Sequence, residues 1–184
     1  MRRARSAAER PWSVPLAVSE VPETGRHIDL AADAHARAAV AKLARLAALP
    51  RLEASFDVTP RGRGGLRVVG RVSATVVQNC VVTLEPIENE VDEPVDLVFV
   101  PAGEPPAPGR DGGEVEVPLE DAPEPLVGGH IDLGAIATEF FILGVDPYPR
   151  RPDAVFHSPV AGDDSVQPFA SLAALKRKQG SKQR

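Results

Sequence analysis

A His-Ile-Asp-Leu unit occurs twice, at residues 27–30 and 130–133, and two His-x-Asp units that converged could hold a divalent metal. Each copy also stands before a helix-like stretch. There the isoleucine would be buried and the aspartate would cap, and this structural role is the preferred reading. Glu139 sits on an otherwise apolar stretch, where burial would raise its pKa and make it a general base. A solvated or paired glutamate is the commoner outcome. Cys80 would need a second thiolate three residues on to build a zinc site, but Thr83 stands there, so a buried inert thiol is expected and no metal. His35 and His157 have no partner in sequence. No His-Glu-x-x-His, phosphate-binding glycine loop or Gly-x-Ser-x-Gly is present. A hydrolase would therefore require His27, His130 and Glu139 to converge, and neither a cofactor nor a small-molecule substrate is expected.

Charge is the more informative pattern. The 184 residues carry 21 Lys and Arg against 26 Asp and Glu, a net of -5, which excludes a uniformly basic nucleic-acid binder. The total hides segregation. Residues 1–84 hold 13 cations and 7 anions, residues 85–125 hold 1 and 13, and residues 126–184 hold 7 and 6. The acidic block could be a solvating loop, or it could occupy a basic surface of this chain or of a partner. Arg61, Arg63, Arg67 and Arg71, with Arg150, Arg151 and the tail Lys176, Arg177 and Lys178, are the candidate phosphate contacts. The Arg61-Gly-Arg-Gly-Gly65 run has the composition of RNA-contacting Arg-Gly-Gly segments, but between two strands it is first of all a turn. One cysteine asks for no oxidising compartment, and the longest apolar run, residues 140–145, is far below the roughly 20 residues that span a bilayer. A cytoplasmic protein without membrane contact is expected.

These side chains must be carried by identifiable elements. Apolar residues at three-to-four spacing (Ala36, Val40, Leu43, Ala47) predict a helix over 33–49, capped by Asp33 and stopped by Pro50. The period then changes to two. Residues 51–59 and 66–76 read as strands joined by the 60–65 glycine turn, and a third strand follows at 91–100 with Pro94 disturbing its first half. Residues 101–129 hold seven prolines and six glycines, and read as a flexible acidic insertion with one short strand candidate at 115–117. A second helix is predicted over 133–143, with Asp132 as cap, Gly144 as stop and Leu133, Ile136, Ala137, Phe140 and Leu143 on its apolar face. A flexible lead-in over 1–11, one domain over 12–157, and a linker with a short amphipathic helix and basic tail over 158–184 complete the organisation. Phe169, Leu172 and Leu175 line one side of that last helix and could dock in a partner's groove. The fold class is α+β: an antiparallel meander, open or barrel-like, packed by two main helices.

Four motifs in order are specific together: Gln78-Asn-Cys-Val-Val-Thr-Leu-Glu-Pro86, His130-Ile-Asp-Leu-Gly to Thr138-Glu-Phe, Val145-Asp-Pro-Tyr-Pro-Arg150, and Pro168-Phe-Ala-Ser-Leu-Ala-Ala-Leu-Lys176. Over about residues 12–176 the chain resembles the YceD family of large ribosomal RNA subunit accumulation proteins, in its alphaproteobacterial version. The resemblance marks Cys80, Leu84, Pro86, Glu139, Pro147, Tyr148 and Pro149 as family-motif residues. It implies a non-catalytic bacterial factor for large-subunit biogenesis, with ribosomal RNA or a large-subunit ribosomal protein as partner. Many relatives carry Cys-x-x-Cys where this chain has Cys80 and Thr83, so the structural metal that the pair implies is not expected here. An adaptor that holds a basic ribosomal protein without touching RNA is the alternative.

Overall fold

In the computed structural model, residues 10–101 and 123–156 are described. The chain divides into two compact units, 1–152 and 153–184, and the elements below belong to the first. The 115–117 strand candidate, His157, the Phe169/Leu172/Leu175 helix and the Lys176-Arg177-Lys178 tail lie outside the described residues.

The chain order is β1 (Pro15–Ala17), a 3-10 turn (Val18–Glu20), β2 (Arg26–Ala31), α1 (Ala34–Ala44), β3 (Ala48–Arg61), β4 (Gly65–Asn79), β5 (Pro86–Pro101), β6 (Glu124–Leu126), β7 (His130–Asp132) and α2 (Leu133–Gly144). β2, β3, β4 and β5 form an antiparallel meander, and β6 adds to β5 in parallel. The fold is α+β as expected; the parallel β6 makes the sheet mixed, and of the open and barrel-like forms the order β2-β3-β4-β5-β6 gives the open one. β1 and β7 make a separate antiparallel ribbon.

Alternation decides which face is dry. Leu52, Ala54, Phe56 and Val58 of β3 and Leu66, Val68, Val72, Ala74 and Val76 of β4 are all buried, as the period of two requires. Gly70 interrupts the β4 row for a steric reason. It lies opposite Phe56, and a Cβ there would fall 2.1 Å from the Ser55 carbonyl oxygen and 2.7 Å from the Phe56 ring. α1 packs on β3, and α2 packs on β5, β4 and β1.

Asp33 caps α1 through the Ala36 N–H at 2.7 Å, but the helix ends at Ala44, short of the predicted end at residue 49. Arg45 adopts φ 58° and turns the chain, so Leu46 and Ala47 leave the helix although they continue its apolar period. Leu43 is consequently exposed, while Ala41 joins Ala36 and Val40 in the core. Pro50 enters β3 at a register shift between Ala48 and Arg51, where a missing N–H is tolerated. On α2 the buried face is Leu133, Ile136, Ala137 and Phe141, with Phe140 half-buried against the core, so of the expected face only Leu143 is left exposed.

Candidate functional site

Residues 78–86 and 145–150 are about sixty positions apart in sequence, and backbone polar groups bring them together. β4 ends at Asn79 and the chain closes a tight turn: Cys80 N–H donates to the Glu85 carbonyl (2.8 Å) and Leu84 N–H to the Cys80 carbonyl (2.9 Å). That turn is tied to the segment after α2. Val81 N–H donates to the Pro149 carbonyl (2.9 Å), Gln78 Nε2 to the Asp146 carbonyl (2.8 Å), and Arg151 forms an ion pair with Glu85. Tyr148 N–H donates to Asp146 Oδ1 (2.8 Å), which fixes the start of the Pro147-Tyr148-Pro149 run.

Cys80 is fully buried in this turn, and its sulfur receives the Thr83 N–H at 3.5 Å. The Thr83 hydroxyl, then the backbone N–H groups of Arg151 and Thr83, stabilise the thiolate and bring its pKa down to about 6. The expected buried thiol is therefore present, in a polar setting that alternation along β4 did not reveal. Leu84 is 76% exposed with φ 62°, so one residue combines a left-handed backbone with an uncovered apolar side chain. Val81 and Tyr148 are exposed beside it in sequence or across the joint, and Pro149 is buried.

The candidate arginines of β4 are engaged. On the outer face of the sheet, Arg67 pairs bidentately with Asp96 (3.0 and 2.7 Å), Arg71 with Asp92 (2.7 Å), and Arg51 with Glu90 (2.6 Å) and Glu53 (3.2 Å). Hydrogen bonds from Arg67, and then its charge, hold Asp96 below the usual carboxylate range, while Thr75 first and Arg51 next do so for Glu90. Glu90, Asp92 and Asp96 of β5 thus lie on the chain's own cations. Arg61 and Arg63 stand instead at the β3–β4 hairpin, with no ion pair among the described residues.

The other chemical candidates separate. His27 lies on β2, not at a helix start, and the nearby Asp29 does not cap; only the second copy behaves as expected, Asp132 accepting the Ala135 N–H at 3.1 Å. His130 sits on β7 and bonds the Gly128 carbonyl, and Glu139 is exposed on α2, so no contact among the described residues joins the three. One arrangement has a triad's composition: His27 Nδ1 is 2.7 Å from Asp57, and its Nε2 is 3.4 Å from Ser55 Oγ, beside a concavity of about 370 Å³ lined by Asp29, Glu53, Ser55 and Arg71. The Asp57 hydrogen bond, followed by the Asp29 charge at 3.2 Å, raises the His27 pKa. The Ser55 hydroxyl is only loosely met by the ring, and it stands on β3, which is paired on both sides, so its neighbouring N–H groups belong to the ladder rather than to an oxyanion site. Among the described residues no group of three or more His, Cys, Asp or Glu could hold a metal, and no helix is long and apolar enough to cross a membrane.

Comparison with known proteins places this joint in context. A family described as "Large ribosomal RNA subunit accumulation protein YceD" matches residues 68–176, more than half of the chain. The chain belongs to the YceD family. No curated protein and no solved structure matches it. The YceD match covers β4 from Val68 onward through α2 and both halves of the joint, and it leaves β1, β2, α1 and the whole of β3 outside. The family is named for the accumulation of large ribosomal RNA rather than for a reaction. Of the motif residues, Cys80, Leu84, Pro86, Pro147, Tyr148 and Pro149 lie on the two segments that meet, whereas Glu139 lies apart from them on α2. Sequence reasoning missed Gln78 and Val81 as the groups that lock the joint. Their only signal was inclusion in a motif.

Proposed function

We propose that this YceD-family chain is a non-catalytic cytoplasmic factor that supports accumulation of large-subunit ribosomal RNA by binding that RNA directly. The family match supplies the ribosomal context. Contact with RNA is supported by one observation: Arg61 and Arg63 are presented at a hairpin end free of ion pairs among the described residues, while Arg67 and Arg71 are held only by exposed pairs. Exposed pairs are worth about 0.2–1 kcal/mol, so a phosphate can displace a carboxylate at little cost. Arg150, Arg151 and the 176–178 tail extend the candidate contacts. Filter binding of the full chain to large-subunit ribosomal RNA across a salt series tests the reading. Salt-dependent binding is expected, and its absence would sink the proposal.

A second reading has its own support. Glu88, Glu90, Asp92 and Asp96 are exposed at even positions of β5, and only weak exposed pairs hold the last three, the chemistry of a surface for a basic protein. An adaptor for a basic large-subunit ribosomal protein would keep its partner after nuclease treatment, whereas an RNA-dependent association would be lost.

A further inference from the structure

Tyr148 is the chain's only tyrosine, and it is 76% exposed in a segment that is firmly held. Its own N–H is bonded to Asp146, the Asp146 carbonyl receives Gln78, the Pro149 carbonyl receives Val81, and proline on each side restricts the backbone. The ring is thus presented rather than left over, and ordering it on binding costs little conformational entropy. Arg150 and Arg151 follow directly, the Arg151–Glu85 pair being an exposed one that a phosphate can displace, and the exposed Val81 and Leu84 lie on the turn bonded to this segment. Leu84 also keeps a left-handed backbone where glycine would be unstrained, a local tension of the kind found at binding sites.

We propose that Pro147-Tyr148-Pro149 is a stacking platform for an unpaired RNA nucleobase, with Arg150 and Arg151 on the adjoining phosphates; this rests on the RNA reading above and names where and how the RNA is held. A projecting aromatic ring followed by two guanidinium groups matches a π-face joined to a polyanion. An aliphatic protein anchor would be better matched by a recess without flanking cations. Base-paired RNA keeps its bases stacked in the duplex, so the platform prefers single strands.

The test uses the full chain and a fluorescein-labelled oligo(A) RNA, free or annealed to oligo(U). Tyr148→Ala is expected to weaken single-strand binding by about 5- to 150-fold, the equivalent of about 1–3 kcal/mol for one stacked base, while Tyr148→Phe retains it. In the wild-type protein the ring protons of this single tyrosine shift upfield in NMR spectra as RNA is added. The side chain is exposed, so unchanged thermal melting of Tyr148→Ala confirms that the variant is folded. Unchanged affinity in Tyr148→Ala, or an unmoved ring signal, overturns the platform while wild-type binding leaves the RNA reading standing. No RNA binding by the wild-type chain overturns both. A Tyr148→Ala protein that still binds RNA but loses a basic ribosomal protein assigns the ring to a protein partner and also overturns the proposal.

Discussion

Removing two carboxylates from β5 should make this acidic protein a stronger and more salt-sensitive RNA binder. Asp96 and Asp92 cover Arg67 and Arg71 on the outer face of the sheet, with every one of these side chains about half exposed. Each exposed pair contributes about 0.2–1 kcal/mol, so Asp92→Asn with Asp96→Asn should lower stability by no more than about 2 kcal/mol. RNA binding should respond more strongly. Each guanidinium that gains a phosphate adds about 0.7 to the slope of log affinity against log salt for a single strand, so two add about 1.4. Between 50 and 200 mM salt the affinity ratio of variant to wild type should therefore fall by roughly sevenfold, with the variant binding more tightly at the low end. Fluorescence anisotropy with an unstructured RNA at four or five salt concentrations measures both slopes. Parallel lines would refute the reasoning, because they would mean that uncovering Arg67 and Arg71 adds no phosphate contact.

Three further outcomes concern stability. Asp132→Ala removes acceptors for the Ala135 and Val14 N–H groups, the Ser13 hydroxyl and the Arg10 guanidinium, and should destabilise by about 2–4 kcal/mol in urea titrations; a change below about 0.5 kcal/mol would contradict the cap and clamp described. Burial pushes the Asp132 pKa up, but the hydrogen bonds from Arg10, Val14, Ser13 and Ala135 outweigh it and leave the pKa lowered, so its contribution is present above the ordinary carboxylate pKa and lost as pH falls through the folded value. Wild type and Asp132→Ala should thus converge in stability in acid. Gly70→Ala should cost about 2–4 kcal/mol, since its methyl would meet the Ser55 carbonyl and the Phe56 ring, and a soluble variant with wild-type melting would exclude that contact. For Cys80, a folded pKa of about 6 lies below the free thiol's 9.0, so the stabilisation by its thiolate grows as pH rises from about 6 to 9. The stability gap between wild type and Cys80→Ala should widen over that interval, and a constant gap in urea melts would show that the sulfur stays protonated.

Local chemistry made some of the fold readable and left other parts silent. The β3–β4 hairpin was legible because glycines at 62, 64 and 65 separate two clean alternations, and Asp33 and Asp132 announced both helix starts. The end of α1 was not, because its left-handed residue is Arg45 and not glycine, while Leu46 and Ala47 keep the helical period. β1, β6 and β7 have three residues each, too few for a period to show. The arginine ladder depends on register: Arg67 and Asp96 are 29 positions apart and become partners only because Arg67 pairs with Val98 and Val69 with Asp96 across two long strands. The joint between the Cys80 turn and the Tyr148 segment rests on one main-chain bond, from Val81 to Pro149, and on the Gln78 and Arg151 side chains, whose partners lie more than sixty positions away in sequence. Only the family motifs flagged its two halves.

The burial of Cys80 gives the protein an intrinsic clock. As the sole thiol in the chain, with no surface open to solvent, it can meet a bulky thiol reagent only when the 80–85 turn opens. Under slow-labelling conditions the modification rate divided by that of the unfolded chain is the open fraction of this turn. The wild-type sequence therefore reports, without an introduced probe, how often Val81 lets go of Pro149. A bound ligand that braces the joint would slow the clock, and one that acts elsewhere would leave it running.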